Sequence, residues 1–197
     1  MKSLTLTLAF FFSLGATAAD LSPGQYNIDP AHSKVGFEVA HLVVSTVEGS
    51  FTTFSGKVDL AKRFTKSKVT AEVDVSSIDT GVEKRDGHLR SADFFDVANH
   101  KKMLFVSKKI SGSQKSFKMT GDLTIKGVKK EVTFEGRVLG RIPNDGFGNE
   151  KLAFEATTQI NRKDFGLTWN NVVEVGPVVG DLIKIELKIQ AARPIKK

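Results

Sequence analysis

The stretch 117–139, FKMTGDLTIKGVKKEVTFEGRVL, decides the fold. Phe117, Met119, Leu123 and Ile125 alternate with polar residues, and after Lys126-Gly127 the same period resumes in Val132, Phe134 and Val138. Successive side chains of a strand point to opposite faces, so a period of two reads as strands with one apolar face each. The short Lys-Gly link predicts a tight hairpin, 117–125 against 128–139.

The pattern repeats on both sides. It is carried by Val35, Phe37 and Val39; by Val69, Ala71, Val73 and Val75; by Leu152, Phe154 and Ile160; and by Ile183, Ile185, Leu187 and Ile189. Adding 54–60, 103–110 and a short strand near Gln25 gives eight or nine half-buried antiparallel strands. Pro143-Asn144-Asp145-Gly146 marks a longer turn. The spacing of Thr80-Gly81-Val82-Glu83 is that of a capping box and predicts a helix to about Arg90, after which Ser91 to Asp96 turn back.

So many strands need their edges protected, and closing the sheet removes the edges. The expectation is an all-β chain, an eight-stranded antiparallel barrel with a short helix near one mouth. Such a barrel is either filled by side chains or holds one small ligand. Gly56, Ala71, Gly121, Gly136 and Ala156 fall in the apolar register between bulkier residues. Pointing inward, they would leave a narrow apolar cavity suited to a thin hydrocarbon. The alternative is that the glycines permit coiling and that neighbouring Phe rings fill the gaps. The residues expected to line the pore are Val35, Phe37, Val39, Phe54, Val69, Ala71, Val73, Phe117, Met119, Gly121, Phe134, Phe154, Ile185 and Leu187.

The first residues, MKSLTLTLAFFFSLGATAAD, combine one lysine, an apolar run from Leu4 to Leu14 and a small-residue site, which describes a secretory signal peptide over 1–18 with cleavage after Ala18 or Ala19. Residues 19–197 then read as one domain, undivided by any linker or repeat. The chain has no cysteine, which excludes disulfides, thiol catalysis and thiolate metal sites. Its net charge is +7. In an exported protein that surplus reads as an ordinary solvated basic surface, or else as suiting an anionic small ligand or membrane surface better than nucleic acid.

His32 and His41 bracket one strand. Nine extended steps separate their rings by roughly 30 Å, and an odd spacing turns them to opposite faces, so they share neither metal nor proton. His41 follows the inward register and is expected at a mouth, where a ligand headgroup or a backbone carbonyl would engage it. His32, beside a proline turn, is expected to serve as a local turn ligand. Arg85, Asp86, His88 and Arg90 form the densest polar cluster, on the predicted helix. Asp86 and Arg90, four apart, suit an ion pair. Arg85 and Arg90 would suit a diphosphate, or Arg90 and Asp93 would tie the helix to the sheet. Trp169 is expected to line the other mouth.

Several stretches together resemble the YceI-like family of bacterial periplasmic proteins: Asp29-x-x-His32-Ser33-x-Val35-x-Phe37-x-Val39-x-His41, His88-Leu89-Arg90-Ser91-x-Asp93-Phe94-Phe95-Asp96, Gly121-Asp122-Leu123-Thr124-Ile125-Lys126-Gly127-Val128 and Arg162-x-Asp164-Phe165-Gly166-Leu167. The chain departs from the family at Asn99-His100-Lys101-Lys102, where a proline is usual. The resemblance implies a lipocalin-like barrel whose lengthwise pore holds a polyisoprenoid or another long-chain amphiphile, and it implies no enzymatic activity and no cofactor. It leaves transient membrane contact and a homodimer open.

Two other classes fit the sequence less well. An enzyme lacks its usual signatures here: Asp29, His32 and Ser33 lie too close along an extended segment to align as a triad, and no nucleophile elbow, zinc motif or phosphate loop is present. An outer-membrane barrel would turn its apolar face outward between aromatic girdles, whereas 15 Phe against one Tyr and one Trp suits a dry interior.

Overall fold

Three of the barrel's eight staves are broken in mid-course by a turn. The computed structural model describes residues 21–174 and 176–195, so the expected signal segment, 1–18, lies outside the described residues. The first stave is β1 (Gly24–Ile28) continued as β2 (Lys34–His41), and the second runs back as β3 (Ser45–Phe51) and β4 (Phe54–Leu60). The third is β5 (Lys68–Asp74) continued as the two-residue β6 (Ile78–Asp79). After the helix α1 (Glu83–Arg90) come β7 (Lys102–Ser113), β8 (Ser116–Ile125), β9 (Val128–Ile142) and β10 (Asn149–Asn161). A small hairpin, β11 (Val172–Val173) with β12 (Gly176–Pro177), precedes the last stave, β13 (Val179–Pro194). Neighbours in sequence pair antiparallel, and β13 closes the ring on β2 through Ile183 to Lys188 and on β1 through Ala191 and Ala192. The expected eight-stranded antiparallel barrel with one short helix is the observed fold.

The breaks have local causes. Pro30 fixes φ and offers no N–H, and the Asp29 carboxylate accepts from Ala31 N at 3.1 Å while His32 Nδ1 lies 2.8 Å from its other oxygen. In the third stave Asp74 accepts from Ser76 N at 2.9 Å, opening the 3₁₀ turn Val75–Ser77. The hairpin read from 117–139 forms as expected. Lys126 and Gly127 both have positive φ, 50° and 76°, the two left-handed positions of a type I′ turn.

The apolar register faces inward throughout. The outer face carries cross-strand ion pairs such as Lys118–Glu135 at 2.8 Å and Arg137–Glu155 at 2.6 Å. A lipid-facing barrel needs the opposite arrangement.

One end of the barrel is packed solid. Tyr26, Leu60, Ile110, Phe117, Leu152 and Ala191 are buried there, with the Phe64 ring tilted against Phe117 at 5.7 Å. A polar bolt locks this end: the buried Glu150 accepts from Tyr26 Oη at 2.8 Å, from Arg193 Nε and Nη2 at 2.9 and 2.7 Å, and from Arg141. Burial, then the Glu150 hydrogen bond, push the Tyr26 phenol up to about 12. For Glu150, burial pushes the carboxyl up, but hydrogen bonds from Arg141, Arg193 and Tyr26 outweigh it and hold it below 4.5. A carboxylate whose folded pKa is depressed contributes stability that is complete above its ordinary value and is lost as pH falls through the folded one. Glu150→Gln is therefore expected to lower the melting temperature most at neutral pH, with the gap to wild type narrowing on acidification below 4.5. Parallel melting curves across that range would contradict this role.

Candidate functional site

Above the packed end the barrel encloses an apolar cavity of about 190 Å³. An engineered apolar cavity of about 150 Å³ stays dry and admits benzene, so this volume is a ligand-sized void. Of the residues expected to line it, Val35, Phe37, Val39, Phe54, Val69, Ala71, Val73, Met119, Phe134, Phe154, Ile185 and Leu187 stand on its wall.

Phe117 and Gly121 do not. Phe117 belongs to the packed end, where its ring covers Gly136 so closely that a Cβ there would lie 2.7 Å from the ring. Gly121 lies under Phe105: a Cβ would meet the Phe105 ring at 2.7 Å and the Val106 carbonyl at 2.5 Å. Gly56 is similarly covered by Ile28. The glycines thus admit neighbouring side chains, the second of the two expected arrangements, and of the five small residues only Ala71 borders the void.

The cavity's mouth lies where β2, β6, β8 and β10 end. There the wall has a gap, because β7 pairs with β5 only as far as Asp74↔Lys102 and makes no ladder with β6. Residues 80–101 fill it, turning Leu89, Phe94 and Phe95 into the cavity. Phe95 meets Phe51 edge-on at 5.9 Å, and Phe94 lies 5.1 Å from Trp169.

The polar residues of this segment hold it to the barrel. Thr80 does not cap α1 through Glu83; instead Asp86 accepts from Thr80 N at 3.0 Å and Oγ1 at 2.5 Å. Asp86 is therefore not the partner of Arg90. Arg90 donates to the carbonyls of Ser76 and Ile78 and pairs with Glu83, and Arg85 donates to Thr80 Oγ1 and O. Neither arginine aims its hydrogen-bonded donors at the cavity. Asp93 pairs with His88 Nε2 at 2.9 Å, not with Arg90, and the His88 ring stands edge-on to Trp169 at 4.8 Å. Trp169 thus packs on the same mouth as α1 rather than at an opposite one. Of the two partners expected for His41, the backbone carbonyl engages it: its Nδ1 lies 2.9 Å from the Val178 carbonyl, at the strand tip.

The largest structural role at the mouth belongs to Arg162, which the sequence marks only as part of a motif. Arg162 is 3% exposed, borders the cavity and donates to four carbonyls, those of Gly180 (2.9 Å), Leu167 (2.6 Å), Trp169 (2.8 Å) and Val179 (3.4 Å), and to Asp181 Oδ1 at 3.2 Å. Burial draws its guanidinium below the ordinary value, and Asp181 opposes the shift. One side chain thereby folds the loop that follows β10. Its signal was the motif Arg162-x-Asp164-Phe165-Gly166-Leu167, and that of the mouth cover was the apolar trio Leu89, Phe94 and Phe95 inside a polar segment.

The fold and cavity define a hollow antiparallel barrel, apolar within and charged without. The chain belongs to the YceI-like family, whose domain matches residues 26–191. A UPF0312 protein of Staphylococcus epidermidis is 40% identical over 164 residues, spanning 82% of this chain and 94% of that one. The crystal structure of the Campylobacter jejuni YceI protein shares 30% identity and a TM-score of 0.68 over 86% of this chain and 96% of its own. A polyisoprenoid binding domain from Saccharophagus degradans has the same fold, with a TM-score of 0.61 and 14% identity over 86% of this chain and 98% of its own.

Proposed function

We propose that this protein binds a long-chain apolar lipid, a polyisoprenoid or similar amphiphile, inside its barrel and carries or stores it in the periplasm. The observation that carries the reading is the cavity itself: an apolar void, packed shut at one end and covered at the other by a side-chain cluster rather than by a strand ladder. Burying hydrocarbon there contributes about 0.8 kcal/mol per CH₂. Immobilising a flexible chain offsets part of that gain. At about 190 Å³ the void holds a short length of chain, so a longer tail requires Leu89, Phe94 and Phe95 to swing outward. The fold neighbour from Saccharophagus degradans is named for polyisoprenoid binding, but at 14% identity it speaks for the fold, and the ligand class here rests on the chain's own wall.

Binding rather than catalysis is supported by the same wall. It carries no carboxylate, histidine or cysteine, and its one charged side chain, Arg162, is hydrogen-bonded to loop carbonyls and Asp181. The export signal read in residues 1–18 supports the compartment.

The chain's single tryptophan, Trp169, packs against Phe94 at the mouth and reports on the site. Titrating delipidated protein with N-phenyl-1-naphthylamine, then with a polyprenol as competitor, is expected to give saturable one-to-one uptake, a change in Trp169 emission and displacement of the probe. Probe fluorescence that rises without saturation would refute the reading.

A further inference from the structure

The net charge of +7 is not spread evenly over the barrel. At the mouth, acidic and basic side chains balance, since Asp79, Glu83, Asp93, Asp164, Glu174 and Asp181 stand among its lysines and arginines. At the packed end they do not. The β4–β5 turn reads Lys62-Arg63-Phe64-Thr65-Lys66-Ser67-Lys68, and Lys109 on β7 and Lys115 in the β7–β8 turn stand at the same end. These lysines and Arg63 are exposed, and among the described residues none of them makes an ion pair or a side-chain hydrogen bond. The carboxylates of that end are already engaged: Glu150 by Arg141 and Arg193, Asp145 by Lys151 at 3.5 Å, Glu135 by Lys118 and Glu155 by Arg137. Between Lys57 and Lys68 the sequence has a single carboxylate, Asp59, which stands opposite Lys68 in the ladder and accepts from Gln25 Nε2 at 2.8 Å.

The turn is fixed by its own bonding, which leaves its cations outside. Phe64 rests on Phe117, Ser67 Oγ accepts from Ala61 N at 3.1 Å, and Ser67 N donates to the Phe64 carbonyl at 3.0 Å. Ser107 Oγ accepts from Val69 N at 2.8 Å beside the bulge between Ser107 and Lys109, which sets Lys68 and Lys109 along one seam. Farther round the same rim, the β9–β10 turn presents an aromatic ring. Phe147 is 91% exposed between Gly146 and Gly148, both of positive φ, and Asp145 accepts from its N–H at 2.8 Å, so the backbone holds the ring out in water.

We propose that the packed end is a docking surface for an anionic lipid bilayer, with its cations on the headgroups, Phe147 set among them and the mouth facing away. Charge complementarity selects an anionic partner. Long side chains whose heads no hydrogen bond fixes suit a layer of mobile headgroups, whereas a protein interface sets its charges against defined counterparts. A convex end with one protruding ring matches shallow insertion rather than the closely packed core of a protein complex. The docking is independent of the carrier reading. Together they mean that a lipid leaves the barrel on the aqueous side, toward an acceptor other than the membrane on which the barrel sits.

Flotation with vesicles of phosphatidylglycerol and phosphatidylethanolamine, against vesicles of phosphatidylcholine, tests it. The wild-type chain is expected to float with the anionic vesicles alone and to be released as salt rises, because each cation at an anionic surface contributes roughly fivefold in partitioning. Lys62→Glu/Lys66→Glu is expected to lower the bound-to-free ratio at least tenfold at an unchanged melting temperature, and Phe147→Ser to weaken binding without changing its salt dependence. Lipids brominated on their acyl chains report the orientation, in an Ala71→Phe background whose filled void keeps lipid from reaching Trp169 from within. Trp169 emission is expected to stay unquenched on binding, and the emission added by Phe147→Trp to be quenched. Wild-type protein that stays soluble with anionic vesicles, whether or not it binds inorganic polyphosphate, would overturn the proposal. Equal flotation of the double charge variant would do the same, and so would quenching of Trp169, which would put the mouth on the bilayer. Protein that floats with the mouth outward but takes up no apolar probe would refute the carrier reading and leave the docking standing.

Discussion

Ala71→Phe is expected to abolish uptake of the apolar probe, by at least tenfold in affinity, while the barrel still folds. Ala71 borders the void and lies opposite Gly56 on β4 and Phe105 on β7. A phenylalanine there places a benzene ring in a space of about 190 Å³, and a ring of that size suffices to occupy an apolar cavity of about 150 Å³. Overpacking adds a stability loss of about 1–3 kcal/mol, which a closed eight-stave sheet can bear. Gly121→Ala provides the contrast. Its new Cβ would press on the Val106 carbonyl at 2.5 Å and on the cavity-lining Phe105 ring at 2.7 Å without itself entering the void, so it lowers stability and reduces affinity far less than Ala71→Phe does. Denaturation curves and probe titrations on the two variants separate the effects. Wild-type affinity in Ala71→Phe would show that the ligand does not occupy this void.

Arg162→Met should cost about 3–5 kcal/mol, the largest loss expected from a single substitution at the mouth. The methionine stem conserves the packing but leaves the carbonyls of Leu167, Trp169, Val179 and Gly180 without their donor and Asp181 without one of its two cations. Arg162→Lys should not restore the loss, because a single ammonium cannot reach acceptors distributed around a planar guanidinium. Urea unfolding followed through Trp169 emission measures both variants. A loss below about 1 kcal/mol would mean that the loop is held by other contacts.

The barrel was legible because its signal is repeated. Each stave contributes its own period of two, the Lys126-Gly127 turn sets one register, and the sum of half-buried strands requires closure. The turn at Pro30 was legible from the proline, but the break after Asp74 was not, since Asp74 makes its turn through side-chain hydrogen bonds that leave the hydrophobic period almost intact. The inward direction of Val35, Phe37 and Ile185 followed from alternation, but whether a small residue means a void did not. Gly121 and Gly136 lie under the rings of Phe105 and Phe117, whereas Ala71, although paired with Phe105, borders the void, and which small residue a ring covers is a fact of register between strands and not of the strand itself. Polar residues misled for a related reason. Asp86, four residues before Arg90, sits at helical pairing distance, yet the nearer Thr80 took its oxygens. Arg162 was visible as part of a motif, but its role depends on a loop that returns to it only after folding.

Native mass spectrometry of the protein purified without detergent from the cells that make it, followed by organic extraction of whatever is bound, tests the occupied barrel most directly. The predicted result is a one-to-one adduct released as a long-chain apolar lipid, absent from Ala71→Phe. A chain recovered without adduct that also fails to take up a polyprenol would contradict it.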